Sequence, residues 1–272
     1  MKSLRRLVPL AVLLVAAAAS PLRADDPPEA WSPTGLGARF TQTQTPLTND
    51  RGMFEANIWH RFYTPSNQAK TDGLLGLDGG ANVTLGIDYT FVKNVAFQMF
   101  RSGYNADYEI ALKWTALRPA EKLPLAIGLR GGVDWWTASY LQQDSTFFGQ
   151  VLLSYTIADR VTIGIAPAYV EKTSTGLSDV FAIPVVAQIK LTNSIAAIGE
   201  YVARNKDIPD TVGQWSFGVE KAVYRHKFSL WIGNSGAITV DQRAGGDYLG
   251  GLKESNIRLG FNIMRQFDIA AE

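Results

Sequence analysis

The sequence predicts an all-β protein, a closed antiparallel transmembrane β-barrel of about twelve strands that forms a single domain. Three observations support this: an alternation of apolar and polar residues, an apparent export signal, and connections that alternate between short and long. The alternation is clearest in residues 83–91, VTLGIDYTF, where odd-numbered positions are apolar and even-numbered positions are small or polar. A strand with this period of two fits a barrel that has lipid outside and a polar lumen inside.

Residues 1–24 are predicted to be a cleavable signal peptide. Lys2, Arg5 and Arg6 precede an apolar run over residues 7–19, which is too short to favour a membrane span. A retained N-terminal anchor is the alternative. Residues 25–50 are rich in Pro, Thr, Gln and Asp and are predicted to form an irregular periplasmic N-terminal segment. The alternative is that this segment enters the barrel.

The composition excludes several classes of protein. The chain has 272 residues, which favours one large barrel over two small domains. It has no cysteine, which excludes disulfides, a lipid-modified N-terminal cysteine and covalent haem attachment. A net charge of +1 gives no basis for nucleic-acid binding. We expect no cofactor, no metal and no catalytic residues.

Residues 51–267 are predicted to form the barrel, and residues 268–272 a short tail. The candidate strands are residues 53–62, 81–91, 95–101, 108–115, 125–136, 147–156, 161–170, 181–191, 195–204, 215–221, 226–232 and 255–264. Pro167 and Pro184 fall inside two of them and predict an interruption or bulge, because proline removes a donor from the ladder.

The lengths of the connections predict which end of the barrel faces the periplasm and which faces outward. Those near Lys93, residues 158–159, Asn193 and residues 224–225 are short, and most of the alternate ones are longer. Short periplasmic turns and long outer loops are typical of outer-membrane barrels. A soluble β-sandwich is the alternative, but its strands would not need an apolar outer face on nearly every strand.

Three stretches carry a resemblance to a known family: residues 52–62 (GMFEANIWHRF), 76–89 (GLDGGANVTLGIDY) and 101–117 (RSGYNADYEIALKWTAL). Together they resemble a family of bacterial outer-membrane β-barrel proteins that is known only as a domain of unknown function. The resemblance implies a barrel in the bacterial outer membrane, and it implies no established activity.

The inward faces of the candidate strands carry charges of both signs. An Arg or Lys that faces lipid at mid-membrane costs roughly 2–4 kcal/mol, so these groups are expected to line the lumen. The candidate lumen-lining charges are Glu55, Arg61, Asp88, Glu109, Lys113, Arg130, Asp134, Lys190, Glu220 and Arg258, with Glu200 and Arg204 on the same parity. They predict a mixed-charge network that is weakly ion-selective if the lumen is open; the alternative is that they only stabilise the interior.

The two histidines, His60 and His226, are far apart and lack the spacing of a metal site. They are expected to be interfacial or solvated. Some outer-membrane barrels hydrolyse lipids with a Ser–His pair on the outer face, and His60 is the only candidate for such a part. No serine has a spacing that pairs with it, and G-x-S-x-G is absent, so we do not expect an enzyme.

Tryptophans near candidate strand ends or bends predict aromatic girdles at the two membrane interfaces. They are Trp59, Trp114, Trp135, Trp136, Trp215 and Trp231. A sugar-stacking platform in the lumen is the alternative, for which only Trp136 has a suitable parity.

The function predicted from these features is a passive pore for small solutes. A closed structural or docking barrel that presents loops to a partner is the first alternative, and a membrane-embedded lipid hydrolase is the second. The expected partners are outer-membrane lipid, the barrel-insertion machinery and, for an open pore, small solutes. Residues 234–254 form the longest predicted outer loop, which could gate the pore or fold inward.

Overall fold

The computed structural model describes residues 39–69, 73–120, 122–140, 144–174, 177–203, 213–245 and 256–269. The predicted signal peptide, residues 25–38 of the predicted N-terminal segment, and Arg204 lie outside the described residues.

Twelve strands form the barrel, and they follow the predicted candidates closely. In chain order they are β1 Met53–Phe62, β2 Ala81–Val92, β3 Val95–Ser102, β4 Asp107–Leu117, β5 Leu125–Trp136, β6 Asp144–Ile157, β7 Val161–Ile165 with Ala168–Lys172, β8 Ser178–Ala182 with Pro184–Lys190, β9 Ile195–Val202, β10 Gln214–Val223, β11 His226–Gly233 and β12 Arg258–Asp268. Two short helices lie between strands, α1 Ser66–Ala69 and α2 Val240–Gly245.

Every strand pairs antiparallel with its neighbour in sequence, and β1 pairs with β12. In that closing pair Phe54 lies opposite Phe267 and Arg61 opposite Gly260. The strands therefore close into a ring, and the predicted closed antiparallel barrel of twelve strands is confirmed.

Proline accounts for the two interrupted strands, as predicted. Strand β7 breaks at Ala166 and Pro167, and β8 breaks at Ile183, directly before Pro184. The breaks face each other, because the Ala166 N–H donates to the Pro184 carbonyl at 2.9 Å. The Pro167 carbonyl still accepts from Val151 N–H at 3.0 Å. Proline lacks a backbone N–H but keeps its carbonyl, so it still takes part in the ladder as an acceptor.

Burial alternates along the strands with the period that the sequence shows. In β4, Ile110, Leu112 and Trp114 are exposed on the outer face, while Glu109 and Lys113 are fully buried inside. The barrel thus has an apolar band outside and polar groups inside, the arrangement of a membrane barrel. No helix among the described residues has the length and apolar character needed to cross a membrane.

The short connections lie at one end of the barrel, which we call the short-turn end. Asn94, Ala158, Asp159 and Tyr224 adopt positive φ in them, the conformation that two-residue hairpin turns require. Strand β1 begins and β12 ends at this end. In outer-membrane barrels short turns face the periplasm, so the other end carries the outer loops.

We expect an arginine in the middle of the outer face to destabilise the barrel much more than one near its edge. Leu112→Arg places the charge at the centre of β4, and should lower the free energy of unfolding in lipid by about 2–4 kcal/mol. Val92→Arg, at the short-turn end of β2, is the matched control and should lower it by about 1 kcal/mol or less. Urea titration in phospholipid vesicles measures both values, and equal losses would contradict a lipid-facing β4.

Candidate functional site

Two segments of the chain lie inside the barrel and fill its lumen. Residues 39–48, here called the N-terminal insert, are all buried, and so are residues 234–245, here called the loop insert. Both contact the wall, by which we mean the inward side chains of the strands. Within the irregular segment predicted over residues 25–50, the described residues 39–48 lie inside the barrel.

The N-terminal insert enters at the short-turn end and folds back on itself. Thr48 N–H donates to Thr115 Oγ1 at 2.8 Å, and Thr115 Oγ1 donates to the Pro46 carbonyl at 3.0 Å. A Cβ on Gly128 would lie 2.5 Å from that carbonyl, so the wall admits the insert backbone here because residue 128 is glycine. Deeper in the lumen, Phe40 N–H bonds to the Thr43 carbonyl at 2.8 Å and closes a tight turn.

Glu200, on β9, holds the turn of the N-terminal insert. Its carboxylate accepts from Gln42 N–H at 2.7 Å, from Thr43 N–H at 3.3 Å and from the Thr43 hydroxyl at 2.8 Å. Arg243 of the loop insert donates to the same carboxylate at 3.4 Å. One wall residue thus binds both inserts.

Glu109, on β4, is a second wall residue that binds both inserts. It accepts from Arg39 Nη2 at 3.1 Å and from Val240 N–H at 2.6 Å, and it pairs with Arg130 of the wall. Charge-assisted hydrogen bonds of this kind are the strong ones. Glu109 therefore fixes the first described residue of one insert and the start of α2 in the other.

The two inserts also bind each other. Arg39 Nη1 donates to the Ile238 carbonyl at 3.3 Å, and Arg243 Nη1 donates to Thr43 Oγ1 at 3.0 Å. The inserts, Glu109 and Glu200 thus form one connected network of hydrogen bonds. Displacing either insert removes donors from carboxylates that the other insert shares.

The guanidinium of Arg39 lies over two aromatic rings of the wall. Its Cζ is 4.4 Å from the ring centroid of Trp59 and 4.4 Å from that of Phe100. Arg61 lies in the same way over Trp231, at 4.4 Å. Cations placed over ring faces are attracted by the negative π surface.

The structure corrects the girdle prediction for three of the tryptophans, Trp59, Trp136 and Trp231. Trp59 and Trp231 were predicted to lie in interfacial girdles, but they are inside the barrel with 2% and 3% exposure. Trp59 shares the inward face of β1 with Arg61, so strand parity decides its side. Trp114 and Trp135 lie on the outer face with 49% and 47% exposure, and Trp136 is buried inside.

Nine of the ten predicted lumen-lining charges are buried inside the barrel, and Lys190 is part-exposed at the end of β8. The buried ones are Glu55, Arg61, Asp88, Glu109, Lys113, Arg130, Asp134, Glu220 and Arg258. Glu109 and Arg130 form an ion pair with each other, and Lys227 lies 3.6 Å from Glu220. Many of the charges bind amides or carbonyls: Gln98 donates to Asp88 at 2.5 Å, and Arg258 donates to the Tyr63 carbonyl at 3.0 Å.

Burial changes the acidity of the charged groups on the inserts. It lowers the pKa of Arg39 to about 10, against the opposing attraction of Glu109, so the guanidinium stays charged at neutral pH. Burial also lowers the pKa of Arg243 and raises that of Asp241. The inserts thus carry two cations and one acid into the lumen.

The fold also brings together three carboxyl groups that are far apart in the sequence. Oxygens of Asp107, Asp134 and Asp241 all lie within 4.8 Å of one another. Only Asp134 was predicted as a lumen residue, because Asp107 was assigned to a connection and Asp241 to an outer loop. Thr239 bonds to both Asp107 and Asp241, at 2.5 and 2.9 Å, and so joins the loop insert to the wall.

The histidines are not brought together. His60 lies on β1 and stacks on Phe261, with centroids 4.8 Å apart, and its two cross-strand neighbours are Val83 and Phe261. His226 begins β11 and stacks on Phe228 at 6.0 Å. Neither cross-strand neighbour of His60 is a serine, so this register does not assemble the Ser–His pair considered above.

These features define the class: a transmembrane β-barrel with an apolar outer band and a polar lumen, the architecture of the bacterial outer membrane. The chain belongs to the family described as membrane bound beta barrel domain (DUF5777), whose model matches residues 36–267. This confirms the family resemblance and the predicted location in the outer membrane.

Several solved outer-membrane proteins are similar in fold. The NanC porin is 9% identical, with 78% of this chain and 98% of that chain covered and a TM-score of 0.47. Omp33 of Acinetobacter baumannii is 11% identical, with coverages of 79% and 98% and a TM-score of 0.43. The outer membrane phospholipase A of Escherichia coli is 9% identical, with coverages of 87% and 98% and a TM-score of 0.45. A comparison with curated proteins found no match.

We expect Glu200→Gln to loosen the N-terminal insert, because the amide loses the charge that four donors share. Hydrogen bonds to charged groups contribute about 1.5–3 kcal/mol, so a loss of about 2 kcal/mol should expose the insert roughly 30-fold more often. The chain has no cysteine, so Thr41→Cys gives a single reporter whose labelling by a maleimide measures that exposure.

Two controls accompany this measurement. Glu171→Gln makes the same chemical change on an exposed glutamate of β7 and should leave the labelling rate of Thr41→Cys unchanged. Asn193→Cys, in an exposed turn, should be labelled fast in every background. If Thr41→Cys is labelled equally slowly with and without Glu200, that carboxylate does not retain the insert.

Proposed function

We propose that this protein is a gated channel for small solutes, which is closed by its two inserts and conducts when the N-terminal insert leaves the lumen. This proposal differs from the passive pore predicted from the sequence because the N-terminal insert acts as a gate. The observation that carries the proposal is that two segments of chain occupy the lumen in addition to the wall side chains.

The width of the lumen supports a pathway. An eight-stranded barrel is just wide enough for its own inward side chains to fill it. Here twelve strands enclose two backbone segments in addition to the wall side chains. Withdrawal of one segment would leave a conduit about as wide as an extended chain.

The chemistry of the contacts supports reversible opening. The N-terminal insert binds the wall mainly through hydrogen bonds, and Phe40 packs in a small apolar cluster with Val186 and Ile198. Polar groups that separate can bond to water instead, so the net loss for each neutral bond is only about 0.5–1.5 kcal/mol. A small cavity of about 20 Å³, room for about one water molecule, lies between Arg39, Gln42 and Arg243.

The strands supply an excess of acidic groups to this pathway. Seven carboxylates and five cationic side chains of the strands are buried among the described residues. The acidic ones are Glu55, Asp88, Asp107, Glu109, Asp134, Glu200 and Glu220, and the basic ones are Arg61, Lys113, Arg130, Lys227 and Arg258. Departure of Arg39 with its insert would remove a compensating positive charge, so the open lumen favours cations.

Gly128→Ala tests the gate directly, because the added Cβ meets the insert backbone and not the wall. It would lie 2.5 Å from the Pro46 carbonyl oxygen and 3.0 Å from Pro46 Cα, a separation that forces the insert to shift. In planar bilayers we expect rare openings from the full mature chain and a raised open probability from Gly128→Ala.

Gly149→Ala is the matched control, since a Cβ at residue 149 has no atom within 4 Å, and it should behave as the unsubstituted chain. Folding and insertion are checked for each variant by heat-modifiable mobility on gels. Silence from an inserted Gly128→Ala barrel would overturn the proposal and favour a closed docking barrel.

The open channel should select cations. In a gradient of KCl, the reversal potential of Gly128→Ala should take the sign for potassium over chloride. Glu109→Gln in that background should reduce the preference, since it removes one charge of the acidic excess. A preference for chloride would show that the charges counted above do not line the conducting path.

A further inference from the structure

The place that Arg39 occupies has the features of a binding site rather than those of a packing contact. The rings of Trp59 and Phe100 are 4.9 Å apart and inclined by 48°, so they form an open V. The guanidinium lies over both faces, and its nitrogens donate to the Glu109 carboxylate and the Ile238 carbonyl at 3.1 and 3.3 Å. Nη1 also donates to the Gln42 carbonyl of the same insert at 3.4 Å, so two ring faces, one carboxylate and two carbonyls converge on one planar cation.

Most of this site belongs to the wall and does not depend on the N-terminal insert. Trp59 is on β1, Phe100 on β3 and Glu109 on β4, and all three are at most 2% exposed. Glu109 is also bound by Arg130 and by the Val240 N–H, which keep it in place whether or not Arg39 is present. The N-terminal insert therefore supplies none of the two rings and the carboxylate that surround the Arg39 guanidinium.

We propose that this wall site, formed by Trp59, Phe100 and Glu109, binds small organic cations of the guanidinium type, and that Arg39 occupies it as a built-in competitor. The inference rests on the proposed function in one respect, because a solute reaches the site when the insert moves. It adds the class of solute and a reason for the opening: a cation that takes the place of Arg39 removes one anchor of the insert.

The donor and acceptor types select this class. A flat guanidinium stacks on aromatic faces and donates N–H bonds in the plane, which a spherical ion does not. A carboxylate or phosphate solute would meet the negative charge of Glu109. A neutral molecule of the same shape, such as urea, could bond to the carboxylate but would lack the attraction to the rings.

The burial of Arg39 is itself an argument for a specific site. Filling a lumen requires no charged side chain, and burying a charge is costly unless it is paired. Desolvation lowers the pKa of this guanidinium despite the nearby carboxylate. The remainder of the described insert binds mainly through backbone and hydroxyl groups, so the arginine is placed where the wall offers a cation partner.

The first test measures competition in the full mature chain. With Thr41→Cys as the reporter, methylguanidinium at millimolar concentration should accelerate maleimide labelling in a saturable way. Urea at the same concentration, and sodium chloride at the same ionic strength, should not. The rate of Asn193→Cys must stay constant, which excludes general unfolding by the added cation.

The second test measures binding directly, in a barrel from which the competing guanidinium has been removed. By calorimetry, the Arg39→Ala barrel should bind methylguanidinium, and Phe100→Leu in that background should weaken the affinity about tenfold. Phe148→Leu is the matched control, because Phe148 is buried in the same lumen but lies under Arg130, at 4.9 Å; it should change the affinity less than twofold.

The outcomes separate this inference from the channel. No saturable heat from a folded Arg39→Ala barrel, or equal binding of urea, would overturn the binding site even if Gly128→Ala conducts. Binding by Arg39→Ala together with silence from Gly128→Ala would uphold the site and overturn the channel. Unchanged labelling of Thr41→Cys, despite binding to Arg39→Ala, would show that the cation does not compete with Arg39 in the native barrel.

Discussion

The structure depends on one constraint: a closed wall of twelve strands surrounds buried charges that its own side chains only partly neutralise. Buried charges are costly unless they are paired and hydrogen-bonded. Glu200 has no cationic partner on the wall among the described ion pairs, and it receives its donors from the two inserts. The inserts are therefore part of what makes this barrel interior stable, and not merely obstacles within it.

The sharing of carboxylates couples the two inserts to each other. Glu109 and Glu200 each receive donors from both, and Arg39 and Arg243 reach across from one insert to the other. Loss of one insert removes hydrogen-bond donors from the Glu109 and Glu200 carboxylates. Removal of one partner from a buried pair is strongly destabilising. The two inserts are thus expected to respond together, although they are separate segments of the chain.

Local pattern predicted the wall, because a period of two fixes both the strand and the side that each residue faces. Strands β1 and β5 have the predicted bounds, and Pro167 and Pro184 mark the interrupted strands. Trp59 was misplaced because its position near a strand end was given more weight than its parity. The inserts have no such period, and their contacts join residues up to 221 positions apart, as in the bond from Asn262 to the Thr41 carbonyl. Spacing along the chain carries no signal for contacts of that range.

A plug held by charge-assisted bonds differs physically from one held by apolar packing. An apolar plug is retained by the water that it excludes, and few solutes can replace it. A polar plug is retained by the difference between its bonds to the wall and the bonds that water or a solute would form in its place. Arg39 binds the wall through a guanidinium, a group that a dissolved cation can also carry. A solute can therefore compete for the same contact that holds the N-terminal insert in the lumen. The gate and the recognition of solute then reside in the same few residues of the wall.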